Sequence, residues 1–209
     1  MKTNAHYSRV VQWVRSLFLL RHTKAVKVNS TDRDDDRQLN ELGIAQAQKL
    51  AAKIDIVDFD TVLSSPLIRV HQTLKIAIGG DYEVQSLPEL TCATGDGNPI
   101  DVMFNELGYS PMTKYLEHPL GEHLKVWGET ALESVLKWLP DERRQQTVMV
   151  GGHAVLQNAL GLAFCQVLEG FGNCEETKAY ILNTPLGEGE VFKISPRVNK
   201  IAFRHIKLD

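Results

Sequence analysis

The chain has 209 residues, 43% of them apolar and 23% charged, and a formal net charge of -3. That length lets one α/β domain bury a full core, and the composition is that of an ordinary globular protein. The slight acidity speaks against an electrostatic nucleic-acid binder, which carries a strong basic excess, and no apolar run reaches the ~18 residues of a membrane-spanning helix. Cys92, Cys165 and Cys174 lack CxxC spacing, so neither a disulfide framework nor a zinc site is expected. A reducing, cytoplasmic compartment is the default expectation for such cysteine usage.

Residues 1–14 are read as an N-terminal extension. Arg9, Gln12 and Arg15 interrupt the sequence ahead of the apolar stretch 16–20, which makes it a poor signal peptide. Ser16-Leu17-Phe18-Leu19-Leu20 instead fits a strand buried on both faces, stopping at Arg21-His22. Residues 23–36 form a polar loop with Asp32, Asp34, Asp35 and Asp36. No EF-hand spacing follows these acids, so they read as a solvated loop and no metal is expected. Leu39, Leu42, Ala45, Ala47, Leu50 and Ile54 recur at helical spacing and predict a helix over 40–54, with Asn40 as its N-cap.

A second strand at 61–63 ends in Ser64-Ser65-Pro66, and proline in the first turn suits a helix over 66–78 closed by Gly79-Gly80. Residues 82–87 predict a third strand that Pro88 ends. Gly, Pro and Asn punctuate 89–125, where only short helices are expected; a helix follows over 129–139 and stops at Pro140. Residues 147–150 predict another buried strand leading to Gly151-Gly152-His153, then an apolar helix to residue 168. Late strands are expected at 189–194 and 200–206.

Strands alternating with helices predict an α/β fold: one domain over 1–209, a three-layer α/β/α sandwich with a mainly parallel central sheet. In such sheets ligands gather at the carboxyl ends of the strands. His22, Ser65 and His153 each lie just past a predicted strand, and Glu89 lies close behind the third. Four candidates from distant parts of the chain are therefore expected on one edge.

Leu20-Arg21-His22, the run Ser64-Ser65-Pro66-Leu67-Ile68-Arg69-Val70-His71-Gln72-Thr73, and Gly152-His153 stand in the order of three motifs of the histidine phosphatase superfamily. Leu39-Asn40-Glu41-Leu42-Gly43 with Gln46-Ala47 is similar to its first-helix pattern. The chain thus resembles this superfamily, the phosphoglycerate mutase-like fold, over nearly its whole length. The resemblance implies that His22 is the nucleophile and carries a phosphohistidine intermediate. Arg21, Arg69 and Ser65 would bind substrate, and His153 would take part in catalysis. These residue types suit phosphoryl transfer, which needs positioning and charge neutralisation more than elaborate covalent chemistry. Glu89, in Leu87-Pro88-Glu89, matches the setting of the family's proton donor, with Asp96 as the rival. No cofactor is implied.

Asp36-Arg37-x-Leu39 and Pro88-Glu89-Leu90-Thr91 followed by Gly95-Asp96 look like the small SixA-type phosphohistidine phosphatases. Residues 90–128 are expected to form a modest cap, smaller than that of a mutase. Two positions depart from the family pattern: Thr23 replaces the Gly after the nucleophile, and Gly152 replaces the common Ser before the second histidine. The expected activity is a metal-independent phosphatase acting on a phosphorylated small molecule or a phosphohistidine protein. Two alternatives stand beside it, a silent phospho-ligand binding module and a phosphotransferase or mutase of the same fold. His71, two residues past Arg69 on the same helix, faces elsewhere and reads as structural.

Overall fold

Side chains on a strand alternate between its two faces, and in β1 (Val14–Arg21) both sets are buried. The computed structural model describes residues 13–27, 34–54, 57–79, 82–92, 97–139, 144–169 and 172–208. In it Leu17 and Leu19 enter one apolar cluster and Phe18 and Leu20 another. A strand buried on both faces needs a helical layer on each. The chain supplies them through α1 (Glu41–Ile54), β2 (Thr61–Ser64), α2 (Ile68–Ile78), β3 (Val84–Ser86), α3 (Pro99–Leu107), α4 (Met112–Glu117), α5 (Gly121–Lys137), β4 (Gln146–Gly152), α6 (Ala154–Leu168), β5 (Gly172–Asn173), α7 (Glu175–Asn183), β6 (Val191–Arg197) and β7 (Asn199–Ile206). Leu50 and Ile54 of α1 and Val70 and Leu74 of α2 cover one face. Leu132 and Val135 of α5 and Leu160 and Phe164 of α6 cover the other.

The sheet runs β3-β2-β4-β1-β6-β7-β5. β1 pairs parallel with β4, β2 with both β4 and β3, and β5 with β7. β6 runs antiparallel to β1 and to β7. The three-layer α/β/α sandwich with a mainly parallel, mixed sheet is therefore the observed fold. Among the described residues no helix is long and apolar enough to cross a membrane.

Several boundaries differ from expectation. β1 starts at Val14, so only the first twelve residues of the expected extension, which lie outside the described residues, precede the fold's first turn and strand. The helix expected over 129–139 is α5 and begins at Gly121. Gly128 lies inside it, where a Cβ would stand 2.8 Å from the Ala159 carbonyl oxygen. This glycine permits close approach of α5 to α6 and does not break the helix. α7 was not anticipated; it buries only Thr177 and Ile181, which leaves little apolar periodicity to read. Gly80, Asp96 and Pro140 lie outside the described residues.

The first-helix motif has a local physical account. Asn40 caps α1, its Oδ1 accepting from the Gly43 amide at 2.8 Å. A Cβ on Gly43 would lie 1.9 Å from the Lys24 carbonyl oxygen, so only glycine lets that loop pass. The Lys24 amide in turn donates to Gln46 Oε1 at 2.9 Å. The motif thereby holds the segment that follows His22.

Residues 97–128 fall in the stretch expected to form a cap and pack over the start of α6. Asn98 caps α3 by accepting from the Ile100 amide at 2.9 Å. Ile100, Met103, Met112, Tyr115 and Leu124 then close a third cluster over Ala154, Val155 and Leu156 at the start of α6. The cap is thus packed onto the residues immediately after His153.

Candidate active site

Hydrogen bonding between β1, β2 and β4 continues past their carboxyl ends. The His22 amide donates to the Gly152 carbonyl and the Ser65 amide to the Gly151 carbonyl, each at 3.0 Å. The Leu87 amide donates to the Ser64 carbonyl at 2.8 Å. Parallel pairing therefore brings the residues after these strands to one edge. There they meet a cleft of about 380 Å³ whose lining includes Arg21, His22, Arg69 and His153.

His22 is 8% exposed. Its Nδ1 lies 2.7 Å from the Thr23 carbonyl oxygen. A carbonyl only accepts, so Nδ1 carries the proton and Nε2 keeps its lone pair. Burial holds the His22 pKa down at about 3; the Thr23 carbonyl opposes the shift, and the charges of Arg69, Arg21 and Arg37 add to it. Arg69 Nε points at His22 Nε2 across 3.4 Å. The His153 ring lies edge-on to that of His22, with centroids 5.3 Å apart. Burial also pushes His153 well below its ordinary value, helped by His22 and the arginines. Ser65 Oγ sits 2.9 Å from His153 Nε2 and orients that ring.

Arg21 is 4% exposed. One terminal nitrogen donates to the Leu186 carbonyl at 3.0 Å and the other lies 3.6 Å from Glu188. Its guanidinium stacks 4.3 Å above the Tyr109 ring. Burial lowers its pKa to about 10, with Glu188 and Glu190 holding it up, so it stays charged at neutral pH. Its Nε is buried without a hydrogen-bond partner. Ala154, Val155 and Leu156 line the cleft and form the first turn of α6. A helix N-terminus there favours an anion.

Arg21, His22, Arg69 and His153 come together as expected, with Ser65 behind His153. Glu89 does not join them. Pro88–Leu90 is a short 3-10 turn that buries Leu90, just after the buried Leu87, and leaves the Glu89 side chain exposed, outside the cleft lining. The cleft carboxylate from the cap is Asp101, whose Oδ1 lies 3.7 Å from the Cys92 thiol. Burial and Asp101 raise Cys92 to about 11, so it remains a thiol.

The solvated acidic loop is corrected in one respect, because Asp34 belongs to the site. Its Oδ2 accepts from Arg69 and its Oδ1 from Arg37, both at 2.8 Å. Burial alone would raise the Asp34 carboxyl, but Arg37 and Arg69 hold it below the usual range. Arg37, Asp34, Glu188 and Tyr109 also line the cleft. Of these, only Arg37 had a visible signal, the Asp36-Arg37-x-Leu39 run. Among the described residues no group of His, Cys, Asp and Glu is arranged to hold a metal ion. His71 bonds Ser86 Oγ at 2.7 Å, away from the cleft, as a structural residue would.

Both departures from the family pattern are accommodated. Thr23 is fully buried. Its amide and hydroxyl lie 3.1 and 3.2 Å from Thr73 Oγ1, which itself donates to the Arg69 carbonyl at 2.7 Å. Thr23 therefore ties the loop after His22 to the helix that carries Arg69. At Gly152 a Cβ would meet Gln157 Nε2 at 2.4 Å. That amide donates to the Leu20 and Val150 carbonyls, each at 3.2 Å.

Residues 17–93 match the model of the histidine phosphatase superfamily (branch 1). Three solved structures share the fold. A phosphoserine phosphatase of Entamoeba histolytica has a TM-score of 0.58 at 20% identity, covering 90% of this chain and 96% of that one. The alpha-ribazole phosphatase of Shigella flexneri has a TM-score of 0.57 at 22% identity, covering 91% and 95%. A protein assigned as the phosphohistidine phosphatase SixA of Agrobacterium tumefaciens has a TM-score of 0.54 at 20% identity, covering 93% and 96%. No curated protein sequence matches the chain.

Two outcomes follow from the packing and the charge. Gly152→Ser must displace the anchored Gln157 amide and is expected to destabilise by about 1–3 kcal/mol, read as a lowered midpoint in urea. An unchanged midpoint would show that Gln157 yields at no cost. The pKa of His22, about 3, lies below the ~6.5 of an unfolded histidine. Between these values the unfolded chain binds a proton that the folded chain refuses. Stability therefore falls as pH drops from 6.5 toward 3, by up to about 1.4 kcal/mol per unit from this group. His22→Asn should flatten that slope between pH 6.5 and 5. Identical slopes would mean His22 takes up its proton in the folded protein.

Proposed function

We propose that this chain, with the histidine phosphatase superfamily pattern over residues 17–93, is a phosphatase acting through a covalent phosphohistidine intermediate on His22. Its substrate is a phosphomonoester or a phosphohistidine. The observation that carries the reading is the tautomer of His22. With the Nδ1 proton committed to the Thr23 carbonyl and the ring neutral at pH 7, Nε2 presents its lone pair beside Arg69 Nε.

Nε2 attacks phosphorus in line with the leaving atom; its N–P bond forms as the bond to the leaving atom breaks, an ester oxygen in a phosphomonoester or a ring nitrogen in a phosphohistidine. Arg21, Arg69, His153 and the first turn of α6 surround the phosphoryl oxygens. Donors preset in a cleft stabilise developing charge without reorganising. The leaving oxygen needs a proton. Asp101 lines the cleft from above, beside the Cys92 thiol, and is assigned the role of donor, whereas Glu89 is exposed outside the lining. Water then attacks the phosphohistidine, gives its proton to Asp101, and releases phosphate with His22 neutral again.

A second reading has one observation in its favour. Asp34 already occupies the outer edge of Arg69, as suits a phospho-ligand module without turnover. Phosphate-competitive binding with no release from any ester would favour that module. Transfer to an added alcohol would instead identify a phosphotransferase.

Wild type should release phosphate from an aryl phosphate without added metal, and His22→Ala should reduce the rate by roughly 10³-fold or more. Alkaline quenching of the wild type should trap a phosphoryl group on His22. Release undiminished in the variant would end the proposal. Asp101→Asn should slow an alkyl phosphate roughly 10²-fold while barely slowing nitrophenyl phosphate, whose leaving group needs little acid help. Glu89→Gln should leave both rates unchanged. The reverse pattern would return the proton to Glu89.

A further inference from the structure

The arginines of the cleft are held by two of its carboxylates, Asp34 and Glu188. Arg21, Arg37 and Arg69 line the cleft together with Asp34, Asp101 and Glu188. Asp34 covers the outer edge of Arg69 twice. One terminal nitrogen donates to the Asp34 backbone carbonyl at 2.7 Å, the other to its carboxylate at 2.8 Å. The same carboxylate and the Val26 carbonyl hold Arg37, each at 2.8 Å. Glu188 lies 3.6 Å from Arg21 and 3.3 Å from Lys24. The inner donors are differently placed. Arg21 Nε is buried without a partner, and Arg69 Nε faces the nucleophile. One phosphoryl group can take these donors. A second anionic group would face guanidinium edges already covered by Asp34 and the carboxylate of Glu188.

Much of the rest of the lining is apolar or aromatic, beside Thr91 and Cys92. Ile100, Phe104, Tyr109 and Tyr115 come from the cap, and Leu67 and Val155 from below it. Phe104 and Tyr109 meet edge to face, with centroids 6.2 Å apart, and are 41% and 57% exposed. An exposed aromatic pair at a cleft mouth gains by covering an apolar ligand.

We infer that the cleft selects a monophosphate whose remainder is uncharged and apolar, an aryl or arylalkyl phosphate, and that Asp34 is the specificity residue that turns away a second anion. This rests on the phosphatase reading above, yet its test is binding and needs no turnover. Phenylphosphonate and phosphonoacetate share the phosphoryl dianion and differ in the remainder, a ring against a carboxylate. Calorimetric titration of the full wild-type chain should show phenylphosphonate binding at least about tenfold more tightly, since like-charge juxtaposition is costly. Asp34→Asn should narrow that ratio about tenfold by tightening phosphonoacetate. Phe104→Ala should weaken phenylphosphonate alone, and it decides the matter should Asp34→Asn not fold. Equal affinities in the wild type, or variants that move both ligands alike, would overturn the inference. Should the preference appear while phenyl phosphate and phosphohistidine both go unhydrolysed, the phosphatase reading fails and the selectivity stands. Should phenyl phosphate turn over while the two phosphonates bind equally, the selectivity alone fails.

Discussion

The hydrogen bond from the His22 amide to the Gly152 carbonyl extends the β1–β4 ladder one step beyond the strands. It sets the distance between the two histidine-bearing segments, and its counterpart from Ser65 to Gly151 does the same for β2. Parallel neighbours end at the same edge, so residues 22, 65 and 153, far apart in the chain, become neighbours without any long loop. The rest of the cleft follows from this edge. α2 begins just after Ser65 and delivers Arg69, and α6 begins just after His153 and delivers a helix N-terminus.

Keeping charged guanidinium groups in so buried a place is costly unless they are paired and hydrogen-bonded. Each arginine meets that cost with acceptors from segments remote in sequence. Arg21 uses Leu186 and Glu188, which precede β6; Arg69 uses Asp34 from the loop after β1. Both guanidinium groups are thus held by acceptors of the chain itself. The same burial lowers the pKa of both His22 and His153 and favours their neutral forms.

Thr23 and Gly152 show how a departure from a motif can be absorbed. Thr23 gains a buried tie to Thr73, and Thr73 bonds the backbone of Arg69, so the loop after His22 and the helix that carries Arg69 are fastened together. At Gly152 the space of a missing side chain is taken by Gln157, which satisfies two strand carbonyls. Both devices rest on side chains from other elements, so neither position can be judged by its own residue type. The solved structures that share the fold, all near 20% identity, have different named substrates, so the fold alone does not name a substrate.

The layer order, the parallel strands of the central sheet and the convergence of Arg21, His22, Ser65, Arg69 and His153 were legible in the sequence. Buried strands announce themselves as unbroken apolar runs, and the polar residues that end them mark the functional edge. Asn40, Gly43 and Gln46 were legible too, because a cap and a close approach act within a few residues. Asp34, Asp101, Glu188 and Tyr109 were not: each acquires its meaning from a partner brought near only by the fold. The placement of Glu89 is likewise decided by the fold. Its Leu-Pro-Glu setting matched, but the turn that buries Leu90 leaves it facing solvent. Sequence determines which segments are buried and where strands stop; which carboxylate faces which arginine is decided by packing between segments, and that information is not local.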